Sequence, residues 1–104
     1  DHVSVLLSKG QVLLSLGQVQ NALVCFDEAV AASPQDAITH LRRGMALERL
    51  KRRAEAIASY DRAIDLDQSL TQAYLGKGNV FNEQERYAEA LECYEQALRS
   101  EKPV

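Results

Sequence analysis

Tryptophan is absent from this 104-residue chain, methionine occurs once, and proline and cysteine occur only twice each. The two cysteines, Cys25 and Cys93, lie far apart with no CxxC and no Cys/His cluster near either. That spacing calls for neither a zinc site nor a disulfide framework. It leaves the redox compartment open, with a cytoplasmic location favoured. There is also little charge of one sign. The formal net charge is −3, and no Lys/Arg-rich run covers a whole face, so the basic footprint of a nucleic-acid binder is missing. Long hydrophobic runs are lacking too. The most apolar N-terminal stretch, Val3 to Leu16, is interrupted by Lys9, Gly10 and Gln11, which argues against a membrane span or a signal-peptide core. No methionine opens the chain, and the start Asp1-His2-Val3 is read as that of a piece of a longer protein whose targeting information lies elsewhere.

What is present is an ordinary globular composition, with 46% hydrophobic and 26% charged residues, at a length that suits one compact domain spanning 1–104. Sliding the sequence against itself reveals an internal period of 34 residues. Gly10, Gly44 and Gly78 coincide, followed by Ala22, Ala56 and Ala90, then Phe26, Tyr60 and Tyr94, then Ala29, Ala63 and Ala97. Larger apolar residues keep the same step in Leu13, Leu47 and Phe81, in Leu23, Ile57 and Leu91, and in Val30, Ile64 and Leu98. Three units follow, at 3–36, 37–70 and 71–104.

Within each unit apolar residues recur at spacings of three and four, as in Ala22, Leu23, Phe26, Ala29 and Val30, which is the pattern of a helix with one buried stripe. Breaks fall near Gly17, Lys51 and Glu85, and again at Ser33-Pro34-Gln35-Asp36, Asp67-Gln68-Ser69 and Lys102-Pro103. Six helices are therefore predicted, at about 3–16, 19–32, 37–50, 53–66, 71–84 and 87–100. Asp36 is placed to cap the third, and Ser69 with Gln72 reads as a capping box for the fifth. Gly44 against Ala56 is expected to let the two helices of a unit close to about 8–10 Å. Ala63 makes room for the next unit, with Phe26, Tyr60 and Tyr94 filling the space beside. A single hairpin cannot bury that face alone, so the units must stack.

These residues, with glycine, alanine twelve on, an aromatic four later, alanine three later and a proline or polar turn five after that, resemble three tetratricopeptide repeats. The resemblance covers residues 3–104. It departs from the family pattern at the bulky residue early in each unit, which is Leu6, His40 and Tyr74, and at the turn proline, which is Pro34, Gln68 and then Lys102 beside Pro103. It implies an all-α solenoid of antiparallel helix pairs in a right-handed superhelix. It also implies a concave groove, lined by the first helix of each unit, that binds peptide segments of other proteins. On that implication the lining is Leu7, Gln11 and Leu14 from unit one, Ile38, Leu41, Arg42, Met45 and Arg49 from unit two, and Gln72, Leu75, Asn79 and Asn82 from unit three. Leu41, Met45 and Leu75 offer apolar contacts, while Gln11, Asn79 and Asn82 suit a peptide backbone. Arg42 and Arg49, two helical turns apart, point to a ligand with an acidic residue.

One subtype of the family holds the acidic C-terminal tail of cytosolic chaperones in a clamp of lysines, asparagines and an arginine. The matching places here carry Leu7, Gln11, Arg42, Gln72 and Gly76, only one of them cationic, so that ligand is not expected. A scaffold reading stands against two others: a spacer within a longer array, and an enzyme, for which no nucleophile, base or metal set is in view. No cofactor or metal is called for.

Several features have plain readings. His40 sits at a packing position, and His2 lies at an end expected to fray. Cys25 and Cys93 occupy equivalent places in units one and three and are expected to be free thiols. Gly76-Lys77-Gly78-Asn79 lacks the spacing of a phosphate loop and lies inside a predicted helix. Gly76 is read as drift in preference to a hollow in the groove. Residues 37–70 carry seven Lys/Arg against five Asp/Glu, a net of +2, and the run Lys51-Arg52-Arg53 is read as a solvated helix end. Near the other end, Leu91, Tyr94 and Leu98 have nothing after them to cover an apolar face. Further repeats, a capping helix or self-association there is the expectation, and the convex side of a second copy is the alternative occupant of the groove. The far-ultraviolet circular dichroism of the chain is expected to be helical throughout; a strand-dominated spectrum would contradict the period.

Overall fold

The computed structural model describes residues 1–101; the turn expected at Lys102-Pro103 lies outside them. The described residues form six helices and no strand: α1 His2–Ser15, α2 Val19–Ala32, α3 Ala37–Arg49, α4 Arg53–Leu66, α5 Thr71–Glu83 and α6 Tyr87–Ser100. Every second helix falls where the period predicts. α1 starts one residue early because the Asp1 carboxylate accepts the Ser4 N–H at 2.9 Å, so His2 lies in a capped first turn instead of a frayed end. Asp36 caps α3 through the Ile38 N–H, also at 2.9 Å.

The expected capping box of α5 does not form. Asp67 captures Ser69 first, accepting its N–H at 3.0 Å and its hydroxyl at 2.6 Å. The helix then begins after Leu70 with no side-chain cap. A charged acceptor two residues away forms a local turn that outcompetes a neutral cap.

The turn inside each hairpin is built the same way three times. Gly17, Lys51 and Glu85 all adopt the left-handed conformation, with φ of 80°, 62° and 60°. The residue after each donates its N–H to a carbonyl five residues back, Gln18 to Leu13, Arg52 to Leu47 and Arg86 to Phe81, at 2.8, 3.0 and 2.9 Å. This pattern closes the orphan carbonyls of a helix end and is best served by glycine. Only the first unit supplies one.

Each helix pair closes on an aromatic ring. A Cβ placed on Gly10, Gly44 or Gly78 would stand 2.5 Å from Phe26, 2.8 Å from Tyr60 or 2.7 Å from Tyr94. The glycine thus faces the ring of its own unit, which stands nearer to it than Ala56, the partner expected from sequence. Gly76 repeats the device across units, since a Cβ there would overlap the same Tyr60 ring, 2.7 Å from Cε1. The glycine taken for drift is therefore a seat. Tyr60 is held between α3 and α5, buried in the core cluster with Phe26, Leu41, Leu47 and Val80.

Consecutive helices pack along the whole chain, and α1 also touches α3 as α3 touches α5, whereas α2 and α4, or α4 and α6, do not meet. First helices form a close inner row and second helices a splayed outer row. The inner face is concave as a result.

Gly44→Ala is expected to destabilise the fold by about 1–3 kcal/mol, because Tyr60 is pinned by Gly76 and cannot retreat from the new methyl. Gly78→Ala is expected to cost less, since Tyr94 is only half-buried and can yield, leaving the tight approach to Cys93 Cβ at 3.1 Å as the main strain. Glu85→Gly should stabilise by about 0.5–1 kcal/mol through relief of the left-handed backbone. Urea denaturation of the three variants checks the order.

Candidate functional site

The inner face is built from the sides of α1, α3 and α5 that do not pack on their second helices. Of the residues assigned to it from sequence, Ile38, Arg49, Gln72, Leu75, Asn79 and Asn82 are exposed and Leu7, Gln11, Arg42 and Met45 half-buried. Leu14 and Leu41 are buried in the core cluster, with no side-chain surface to offer a ligand. Their equivalents one period away, Leu7 and Leu75 for Leu41 and Glu48 and Asn82 for Leu14, are half-buried or exposed, so the same helical step is core in one unit and surface in another.

The structure draws four of these residues together. Met45, Gln72, Leu75 and Asn79 line a shallow recess of about 200 Å³ between α3 and α5, floored by Tyr60 and Gly76 and flanked by Glu48. Gly76 therefore both seats the tyrosine and leaves the hollow that sequence reasoning ranked second. Asn79 is oriented by Tyr94, whose hydroxyl donates to its Oδ1 at 2.6 Å. Gln11 Oε1 is buried with no protein group bonded to it.

Glu48 was missed. It lies 34 residues after Leu14 and 34 before Asn82, two residues assigned to the face, so the period itself points to it. Its Oε1 accepts the Tyr60 hydroxyl at 2.6 Å. Burial raises the Glu48 carboxyl above its ordinary value, against the lowering effect of the tyrosine bond, and nearby Glu83 raises it further. Burial and the same bond push the Tyr60 phenol far above its usual range, so that it stays a donor.

The positive charge of unit two is mostly consumed within the fold. Arg43 Nε meets Asp27 at 2.6 Å while its other arm donates to Ser59 at 2.8 Å. Arg52 pairs in bidentate fashion with Glu55, both contacts at 2.8 Å. Lys51 and Arg53 approach the two oxygens of Glu83 at 3.4 and 3.5 Å, the latter an ion pair whose N–H is not aimed at the oxygen. The solvated helix end is thus an ion-paired one. Arg49 donates one N–H to the Leu14 carbonyl at 3.0 Å, which ties α3 to α1 and leaves the rest of its exposed guanidinium open. Arg42 donates to the Met45 sulfur at 3.8 Å and pairs with no carboxylate among the described residues.

His40 Nε2 lies 2.9 Å from the Pro34 carbonyl, and the Tyr74 hydroxyl donates to the Gln68 carbonyl at 3.0 Å. These equivalent residues pin equivalent turns, a structural task that a bulky polar side chain can perform. Cys25 and Cys93 are free and buried. Among the described residues no group of three or more His, Cys, Asp or Glu side chains could hold a metal, and no helix is long and apolar enough to cross a membrane.

Stacked helical hairpins with a seated aromatic in each and a concave inner row define a helical-repeat solenoid. The chain belongs to the tetratricopeptide repeat family, whose models match residues 7–70 and 71–100. Solved structures agree. The first TPR of Spaghetti (RPAP3), bound to the HSP90 peptide SRMEEVD, is 29% identical, with a TM-score of 0.92 over 96% of this chain and 79% of that one. The TPR2B domain of yeast Sti1, in a pHsp70 complex, is 27% identical, with a TM-score of 0.92 over 95% and 79%. The Arabidopsis OM64 TPR domain is 25% identical, with a TM-score of 0.93 over 96% and 83%. A search of curated protein sequences gave no match.

A raised carboxyl makes its contribution to stability at low pH and loses it as the pH climbs through the raised value. Glu48→Gln, which keeps an acceptor for Tyr60 but cannot ionise, is therefore expected to be more stable than the parent at about pH 7, with the gap closing toward about pH 4. Thermal melts across that range check it; a gap that widens in acid would refute the assignment.

Proposed function

We propose that this chain is a protein-interaction scaffold that holds a peptide segment of a partner protein against its inner face. The observation that carries this reading is the recess between α3 and α5, where apolar Met45 and Leu75 stand beside Gln72 and Asn79. An apolar anchor flanked by groups able to bond a peptide backbone is the composition such a surface needs. The complexes of Spaghetti and Sti1 with chaperone segments support the same use of the fold. In this reading Leu7, Gln11, Ile38 and Asn82 extend the surface, and Arg42 meets an acidic residue of the ligand. Leu14 and Leu41 serve the fold instead, and Arg49 ties α3 to α1. No catalytic step is assigned to the chain.

The ligand differs from the chaperone tail. Of the places matching the carboxylate clamp, only Arg42 is cationic, and Glu48 adds negative charge beside the recess. Repulsion between like charges works directly against an acidic tail.

Peptides selected from a random library on the purified chain are expected to lose affinity by about tenfold, roughly 1.4 kcal/mol, in Met45→Ala with Leu75→Ala. Arg42→Glu should weaken those among them that carry an acidic residue. The peptide SRMEEVD should bind at least about tenfold more weakly here than to the Spaghetti domain. Binders indifferent to all of these substitutions would move the site off the inner face.

A further inference from the structure

The two ends of the solenoid are the two halves of an interface that the molecule already contains twice. At the junction of units one and two, Asp27 of α2 pairs with Arg43 of α3 at 2.6 Å. At the junction of units two and three, the equivalent Asp61 of α4 pairs with Lys77 of α5, again at 2.6 Å. The next members of the two series are Glu95 on α6 and Lys9 on α1, both exposed and in no ion pair among the described residues. They sit on opposite ends of the molecule, each displaying the charge that the other requires.

Apolar residues tell the same story. Val5 and Val12 of α1 are 65% and 59% exposed, while the residues one and two periods on, Thr39 and Ala46 in α3 and Ala73 and Val80 in α5, are fully buried by the preceding unit. At the far end Leu91 and Leu98 of α6 are 63% and 70% exposed, although their counterparts are covered: Leu23 is buried, and Ile57, Val30 and Ile64 are half-buried. The shapes have internal precedents. Val5 is isosteric with Thr39, Val12 matches Val80 and Leu91 matches Leu23. The helices also differ in charge: α1 carries Lys9 and no acid, whereas α6 carries three glutamates against one arginine.

The geometry points to a second copy of this chain as the occupant of each end: α6 of one molecule docks against α1 of the next, with Val5 and Val12 covered by Leu91 and Leu98 and the register set by Lys9 with Glu95. The contact is head to tail. Because it joins two different surfaces, it does not close at two copies but continues the 34-residue period into an open stack. The stack is independent of any ligand on the inner face.

Sedimentation equilibrium of the 104-residue chain up to about 1 mM tests this. The average mass is expected to rise with concentration beyond the dimer. Val12→Glu and Leu98→Glu each spoil one end at an exposed position, and each alone should remain monomeric with unchanged helical circular dichroism. Mixed, they should form a one-to-one complex that grows no further, since one retains α6 and the other α1. Lys9→Glu should weaken association by about tenfold, and Lys9→Glu with Glu95→Lys should restore it. A parent chain that stays monomeric, a Val12→Glu variant that still self-associates through α6 alone, or a charge pair that fails to rescue would each overturn the proposal. So would association abolished by Met45→Ala with Leu75→Ala, which would place it on the inner face.

Discussion

An aromatic ring seated on a glycine is the contact on which the rest of this molecule depends. Helix axes approach closely only where one side of the crossing is stripped of side chain, and here the stripped side receives a ring edge instead of a small residue. The ring supplies the buried area that the glycine gives up. Tyr60 carries the scheme furthest, because Gly44 and Gly76 grip it from two units at once and its hydroxyl still reaches the inner face to hold Glu48. One side chain therefore sets the spacing of two hairpins and the chemistry of the recess between them.

That dependence explains how much could be read in advance. The 34-residue step located every helix to within a residue at either end, because burial on a repeated stack forces the same apolar positions to recur. It could not identify what each glycine faces, since a small residue opposite an alanine and one opposite a ring leave the same trace in one sequence. Competition between local bonds was equally hidden: Ser69 has the right spacing for a cap, and only the turn geometry shows that Asp67 claims it. The inner face was legible as a set of positions and less so as a set of roles. Arg49 lies at a groove-facing step, yet a carbonyl of the neighbouring helix takes one of its N–H groups. Leu7, Leu41 and Leu75 share one position of the period, yet Leu41 of the middle unit is buried while Leu75 is exposed, a difference set by the neighbouring units and not by the pattern within one.

Charge divides along similar lines. The central unit reads as basic, but Asp27, Glu55 and Glu83 take up most of that charge in pairs between and within units. Exposed pairs of this kind contribute little each to stability. Their value is positional, since an acid on each second helix and a base on the following first helix favour one stacking register over a slipped one.

The separation of the outer helices has a mechanical consequence. Neighbouring units touch along the inner row and through the link from each second helix to the next first helix, but the outer helices leave crevices such as that lined by Asp61, Asp65, Tyr74 and Gln96, about 410 Å³. Bending that narrows or widens these crevices displaces solvent and leaves the packed core alone, whereas shear along the inner row would have to drag Tyr60 off its glycines. The molecule is thus compliant in curvature and stiff in register, a leaf spring whose hinge line runs along α1, α3 and α5.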